Sequence, residues 1–415
     1  MDSNRSIQKE QNKTHVLIHT QYYPPEIGAP QSRLSDLAFE LNRLGFQVTV
    51  LTAMPNYPTG KIFPGYGGWL RKETLDGISV IRTAIYPTQS TGFVKRLLNY
   101  FSFVLSSFWA GVFLPSPDFI ITESPPLFLG ISGYMLSRIK RSKWIFNVAD
   151  LWPASVAELG VIDRSSLSYK LSACLESFFY HKAALVTGQS NTILEDIQRR
   201  FPEVPTYLLS NGVRTELYNP ANNHSNGKVN VMYAGLHGLA QGLDQIIEAA
   251  AKLADQTSIE FVFIGDGPEK QNLIARSKEL NSTNIEFRDP IPKSEIPTAL
   301  SEADILLVPL KVQLTGAVPS KLYEAMASGK AIVLVAESEA AEIVRNADCG
   351  LVISPGDVET LVNSIRYLAT SPDIRERLGE NGRKMAIEKY DRMKIVAQFA
   401  DFLKSHGKQA FKHLS

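Results

Sequence analysis

The sequence predicts an α/β fold of two doubly wound parallel sheets that face each other across a cleft. Three observations predict it. Short apolar runs alternate with helical periodicity from His15 to Gly212, the alternation breaks over 219–228, and a second alternating series starts at Val229. A chain of 415 residues is long for one domain and ample for two, each with its own core.

The first unit opens with an apolar strand at 15–20. In the helix after it Leu34, Leu37, Ala38, Leu41 and Leu44 recur at helical spacing until Gly45 stops it. A strand at 48–51 completes the unit, and the alternation continues through strands at 119–122, 144–150, 184–188 and 206–212. Strands joined through helices pair in parallel. The segment 219–228, NPANNHSNGK, is rich in Asn and Pro and has no periodicity, so it reads as a linker. Strands follow at 229–235, 261–267, 285–289, 304–310 and 331–336, and from about Asp357 the pattern is helical. We expect a disordered leader at 1–14, a first domain over 15–215 and a second over 216–390. A C-terminal helix over 391–415 is expected to pack back toward the first domain.

With 43 basic against 42 acidic residues, the chain lacks the charge excess of a protein that neutralises many nucleic-acid phosphates, so nucleic acid is not an expected partner. The first 208 residues lean basic, with 20 Lys and Arg against 16 Asp and Glu. Cys174 and Cys349 stand far apart with no metal-ligand spacing, which argues against a disulfide framework and a zinc site and fits a reducing compartment. The polar N-terminus has no apolar core of a secretory signal. The uncharged stretch 97–114 is long enough to consider as a membrane span. Its context, Lys95 and Arg96 before it and a core strand after it, favours a helix packed on the sheet with Phe and Trp left for a membrane surface. Arg138, Lys140, Arg141 and Lys143 either add attraction for anionic head groups or form a solvated helix end.

Candidate site residues gather where strands end. Gly28 lies between the first strand and its helix, where backbone can approach a phosphate or an acceptor. The loop YAGLHGLAQGL at 233–243 repeats this geometry with Gly235, and GDGP at 265–268 adds Gly265. No GxGxxG occurs, so a dinucleotide enzyme is disfavoured. Asp150 and Trp152 follow a buried strand, placing a carboxylate where it can bond a sugar hydroxyl; the alternative is a turn cap. In VPSKLYEAMASGK, Pro319 and Ser320 end a loop, so that a helix starting near Lys321 aims its NH groups at the cleft, with Glu324 one turn on.

The order and spacing of YYPPEIGAP, DLWP, NGV at 211–213, the glycine loop after 233 and GxxPSKxxEAMAxGK resemble the family 4 retaining glycosyltransferases of GT-B architecture, two Rossmann-like domains across a cleft. The likeness runs from about His15 to the C-terminal helices and is greatest to the branch that builds O-antigen and capsule units, including N-acetylfucosamine transferases. The resemblance implies that Glu324 binds the ribose of a nucleotide-sugar. Relatives carry a second glutamate eight residues earlier, where this chain has Gly316. They also place Arg and Lys where this chain has Leu236 and Gln241, so the diphosphate's countercharge must come from elsewhere. Lys321, Lys311, Arg214 and His237 are the candidates nearby in sequence. Ser320, Leu322 and Gln241 are counted with the donor-binding residues, Asp150 and Lys321 as catalytic, and Gly28 and Trp152 on the acceptor side.

The reaction so implied moves a sugar, of the N-acetylated hexosamine type, from a UDP-sugar to a polyprenyl-diphosphate-linked acceptor at the inner membrane face. As the bond to the diphosphate breaks, negative charge grows on the leaving group, and a helix N-terminus with a lysine can stabilise it. No cofactor or metal is expected, the donor being a substrate. Two alternatives remain: a non-hydrolysing UDP-sugar 2-epimerase, and a non-catalytic sugar-nucleotide binder.

Overall fold

The computed structural model describes residues 13–89, 92–220, 227–311 and 314–406. Most of the expected leader (1–12), the middle of the linker (221–226) and the tail after His406 lie outside the described residues. The first sheet contains β1 (His15–His19), β2 (Gln47–Ala53), β3 (Leu70–Leu75), β4 (Ile78–Thr83), β5 (Phe119–Ser124), β6 (Lys143–Val148), β7 (Leu185–Gly188) and β8 (Thr206–Leu208), in the spatial order β3-β4-β2-β1-β5-β6-β7-β8. The second contains β9 (Val229–Ala234), β10 (Ile259–Ile264), β11 (Ile285–Arg288), β12 (Ile305–Pro309), β13 (Ala331–Val335) and β14 (Gly350–Ile353), ordered β11-β10-β9-β12-β13-β14. Central strands such as β5, β12 and β13 are buried along their whole length. That requires both faces to be covered by helices and explains the continuous apolar sequences of β12 and β13, while β5 carries Thr122, Glu123 and Ser124 at its buried carboxyl end.

Three elements depart from the sequence reading. β3 pairs antiparallel with β4, so the first sheet is not wholly parallel. The two strands form a hairpin at the sheet edge, turned by Asp76 and Gly77, which have φ values of 50° and 78°; two successive positive φ angles make the tight turn that suits twisted strands. β14 is a short, half-buried strand unmarked by a strong apolar run. The stretch expected as a strand to Gly212 ends at Leu208.

The helix Phe93–Val112 packs on the first sheet through Phe103, Val104 and Ser107. Among the described residues no helix is long and apolar enough to cross a membrane.

The chain crosses between the domains twice, side by side. Val213 N–H donates to Tyr390 O at 2.8 Å, and Arg392 N–H donates to Val213 O at 2.9 Å. Past this crossing the helix Arg392–His406 lies on the first domain, where Ile395, Val396, Phe399 and Leu403 join a core with Leu34, Leu37 and Leu41. Burial of these four apolar side chains, at roughly 1.5–3 kcal/mol each, ties the end of the chain to its beginning.

Candidate active site

Two cavities open between the carboxyl ends of the two sheets. The larger, about 610 Å³, is lined by Gly28 and Ser32 from the first domain, by Arg214 beside the crossing between the domains, and by Lys293, Ser320 and Glu324 from the second. The smaller, about 340 Å³, is lined by Arg33, Asp150, Gly316, Ser320 and Lys321 among others. Ser320 borders both, so the helix Ser320–Ala327 meets the cleft at the partition between them. Pro319 precedes that helix and no side chain caps it; Leu322 N–H turns back to Pro319 O at 3.0 Å, leaving the NH groups of Ser320 and Lys321 to a ligand.

Lys321 rests against the glycine turn after β9. A Cβ built on Gly235 would overlap Lys321 Cε and stand 2.5 Å from Nζ, and Gly235 itself has φ of 153°. Only glycine leaves room for the lysine there. The ammonium also lies 5.7 Å from the centre of the Tyr233 ring, whose hydroxyl donates to Leu236 O at 2.7 Å and so braces the same turn. Gly265, after β10, supports Gly235 from below: its own Cβ would overlap Gly235 O. Burial pulls the Lys321 ammonium below the usual lysine range while Glu324 opposes the shift. Burial likewise pushes Glu324 up, opposed by Lys321, Lys293 and Arg392. The Glu324 carbonyl accepts from Ser328 Oγ at 2.8 Å, but its carboxylate accepts no hydrogen bond among the described residues and so remains available to a ligand.

Asp150 faces the smaller cavity over a chain of buried polar groups. Thr187 Oγ1 donates to Asn147 at 2.6 Å, Asn147 Nδ2 donates to Glu123 at 2.5 Å, and Arg33 donates to Glu123 at 2.6 Å. Glu123, Asn147 and Thr187 occupy paired register positions on β5, β6 and β7, so they share one sheet face. The chain fixes Arg33 beneath Asp150. Burial raises the Asp150 carboxyl, and Arg33 partly offsets it. The signal in the sequence was Glu123, a carboxylate inside the apolar run FIITES.

Gly316, standing where relatives have a glutamate, is occupied by a contact between domains. Its φ is 79°, its carbonyl accepts from Ser190 Oγ at 2.7 Å, and a Cβ would lie 2.5 Å from Ile193 Cγ1. Beside it Thr315 donates through N–H and Oγ1 to Glu158 at 3.0 and 2.7 Å. Glu339 reaches the other way and accepts from Asn191 N–H and Thr192 N–H at 2.9 and 2.8 Å. These contacts clasp the domains along one side of the cleft.

Of the sequence candidates, Gly28, Arg214, Ser320 and Glu324 line the larger cavity, and Asp150, Ser320 and Lys321 line the smaller. Four others serve differently. Leu322 is wholly buried in the apolar core with Met232 and Met326, so its side chain cannot meet a donor. His237 is also fully buried, and burial together with Lys270 lowers its imidazole below the usual histidine range; at neutral pH it carries no charge to offset a diphosphate. Lys311 pairs with Asp244 at 3.2 Å and lines neither cavity. Trp152 packs edge-on against Phe128, ring centres 5.4 Å apart, and likewise lines neither. Gln241 sits beside Gly238 with its Oε1 buried and unpartnered. Gly28 caps its helix in an extended conformation that any residue can adopt, φ 168°, so its place in the cavity wall rather than its backbone freedom connects it to the site.

The cations along the cleft sort by partner. Arg33 pairs with Glu123, Arg214 with Glu216 at 2.8 Å and Arg392 with Asp36. Lys321 and Lys293 are in no ion pair among the described residues; Lys293 donates to Ser32 across the cleft. Lys293 escaped sequence reasoning because it lies far along the chain from the motifs that flank it in space.

Two family descriptions match, one to each half: "Glycosyl transferase 4-like domain" over residues 28–212 and "Glycosyl transferases group 1" over residues 215–385. The glycosyl transferase WcaI of Escherichia coli (strain K12), named for colanic acid biosynthesis, is 25% identical over 405 residues, covering 92% of this chain and 98% of its own. Among solved structures, the sucrose-phosphate synthase of Thermosynechococcus elongatus superposes with a TM-score of 0.76 at 18% identity, covering 95% of this chain and 99% of its own. Anabaena HepE, in complex with UDP and glucose, superposes with a TM-score of 0.70 at 18% identity over 94% of this chain and 100% of its own. Both folded halves are thus accounted for, and the chain belongs to the family 4 glycosyltransferases of GT-B architecture.

Proposed function

We propose that the protein transfers a sugar of the N-acetylated hexosamine type from a UDP-sugar to a polyprenyl-diphosphate-linked sugar, with retention of configuration, in synthesis of a surface polysaccharide such as O-antigen or capsule. The carrying observation is Lys321 against Gly235, with Glu324 one turn along the same helix at the cleft. In this reading Glu324 accepts from the ribose hydroxyls. The helix terminus and Lys321 hold the diphosphate and stabilise the charge that grows on it as the anomeric bond breaks. Lys293 supplies the second unpaired cation in place of the charges absent at Leu236 and Gln241. Asp150, fixed over Arg33, orients the sugar through a hydroxyl. The departing phosphate takes the acceptor's proton, so no protein base and no cofactor is assigned. WcaI's name and the UDP bound to HepE support the polysaccharide role and the donor class by analogy. The acceptor places the enzyme at the cytoplasmic face of the inner membrane as a peripheral protein.

The test incubates purified protein with a panel of UDP-sugars and lipid-linked acceptors, read by mass. Addition of one sugar to the lipid is the expected result. Tight UDP binding without transfer from any donor would instead mark a binder, and an epimerised donor formed without acceptor would mark a 2-epimerase.

A further inference from the structure

Three helices on one side of the first sheet present an apolar face that no described residue covers. They are Phe93–Val112, Leu129–Lys140 and Leu167–Lys182, the first packed on the second and the second on the third. On the first, Val94, Leu98, Leu105 and Trp109, with Phe113 just past its end, are 52–82% exposed. Their spacing of four and seven residues aligns them along one side of the helix. Met135, Ile139, Leu167 and Leu171 extend the surface over the neighbouring helices at 42–72% exposed. The opposite side of the first helix is already buried on the sheet, so this second apolar side has a separate purpose.

Charge identifies the occupant. The three helices expose Lys95, Arg96, Arg138, Lys170 and Lys182, while the Lys140 ammonium is held by Val112 O and Leu114 O at 2.6 and 2.5 Å. Their one acid, Glu176, is buried and held by Arg200 at 2.8 and 2.9 Å. The face therefore offers hydrocarbon and cations but no exposed carboxylate of its own. A second copy of the chain, laid face to face by a two-fold axis, would bring cations against cations. A bilayer with anionic head groups accepts both components, side chains at the acyl boundary and cations at the phosphates.

The face also adjoins the cleft. Asn99, near the start of the first helix, accepts from Gln21 Nε2 at 2.9 Å, just past the carboxyl end of β1. Phe101 packs on Phe128, which packs on Trp152 past the end of β6. An acceptor with its sugar in the cleft can thus leave its lipid chain in a bilayer along this helix. We infer that the three-helix face docks the protein on an anionic lipid bilayer, an inference that rests on the lipid-linked acceptor proposed above.

Flotation of the full-length protein with vesicles tests it. Vesicles of phosphatidylcholine with roughly 30% phosphatidylglycerol should carry the protein, and binding should drop several-fold with phosphatidylcholine alone or in ~0.5 M salt. The triple variant Leu98→Glu, Leu105→Glu, Trp109→Glu should lose at least ~10-fold in partitioning while its UDP affinity, measured alongside to confirm folding, stays unchanged. The milder Lys95→Glu, Arg96→Glu pair should abolish the preference for anionic vesicles. Absence of flotation with either vesicle overturns the inference, as does a solution dimer that the triple variant disperses. Flotation without transfer to any lipid-linked acceptor would refute the proposed acceptor and uphold the docking face; transfer by a protein that never floats would refute docking alone.

Discussion

Lys321 lies so close over Gly235 that a Cβ on the glycine would stand 2.5 Å from the lysine's Nζ. The helix Ser320–Ala327 thereby brings its cation onto the glycine turn that follows β9, two segments separated by about half of the second domain in sequence. If that ammonium stabilises a leaving diphosphate, its contribution grows as the bond breaks. Lys321→Met should lower kcat by about 10²–10³-fold, the usual cost of one electrostatic donor at a reacting centre, with the donor KM changing far less. Gly235→Ala should act in the same direction by pushing the lysine aside. Steady-state kinetics on both variants decides; equal small changes in kcat and KM would remove Lys321 from the chemistry.

Glu324 has a different expected signature, in binding. Its carboxylate faces the larger cavity without a hydrogen-bond donor of its own. Glu324→Ala should weaken UDP affinity by about 10–100-fold, the equivalent of a charge-assisted bond worth about 1.5–3 kcal/mol. Ionised carboxylate is the better acceptor, and burial raises its protonation range. Wild-type affinity should therefore fall on acidification, beginning above the ordinary carboxylate range, while the alanine variant lacks that component. Calorimetric titration of UDP between pH 4 and 8 checks it.

The placement of Lys321 and Glu324 at the cleft was legible in the sequence because proline, serine, lysine and glutamate stand together at one helix start, whereas their proposed roles follow from the family resemblance. The strands of both sheets were legible for a similar reason: a buried parallel strand writes a continuous apolar run. The edge hairpin β3-β4 escaped because β3 is largely solvated and the apolar run of β4, though buried at all but Ser79, is broken by Ser79 and Arg82; Asp76-Gly77 still carried its turn signal. His237 and Leu322 were misjudged because proximity to a motif says nothing of which way a side chain points. Gly316 could be read as a missing glutamate, but its cause lies in Ser190 and Ile193, in the other domain.

That cause yields the next expectation. Restoring the relatives' glutamate at 316 should not restore anything here. With φ at 79° and Ile193 in the way, Gly316→Glu forces the loop off the first domain and breaks the bond from Ser190. We expect lower kcat/KM and a lower melting temperature, about 2–4 °C for each kcal/mol lost in domains of this size. Improved donor affinity in the variant, measured by UDP titration, would show that the position still accepts a ligand-binding side chain.

Asp150 separates stability from activity. Burial raises its carboxyl pKa in the folded protein, with Arg33 only partly opposing, so folding favours the protonated form. A group with a raised folded pKa contributes stability at low pH that is lost as pH rises through that pKa. Above it, the native state holds a carboxylate at a desolvation cost. Asp150→Asn removes that cost and keeps the shape. The variant and wild type should therefore melt together in acid, and the variant should gain, by ~1 kcal/mol at neutral pH, as the wild-type carboxylate ionises. The same change should lower kcat/KM by about 10–100-fold, through loss of the charge-assisted bond to the sugar. Melting curves from pH 4 to 8, run beside donor kinetics, test both halves. An offset independent of pH would mean that Asp150 is not held at a desolvation cost, and unchanged kinetics would return it to the role of a turn residue.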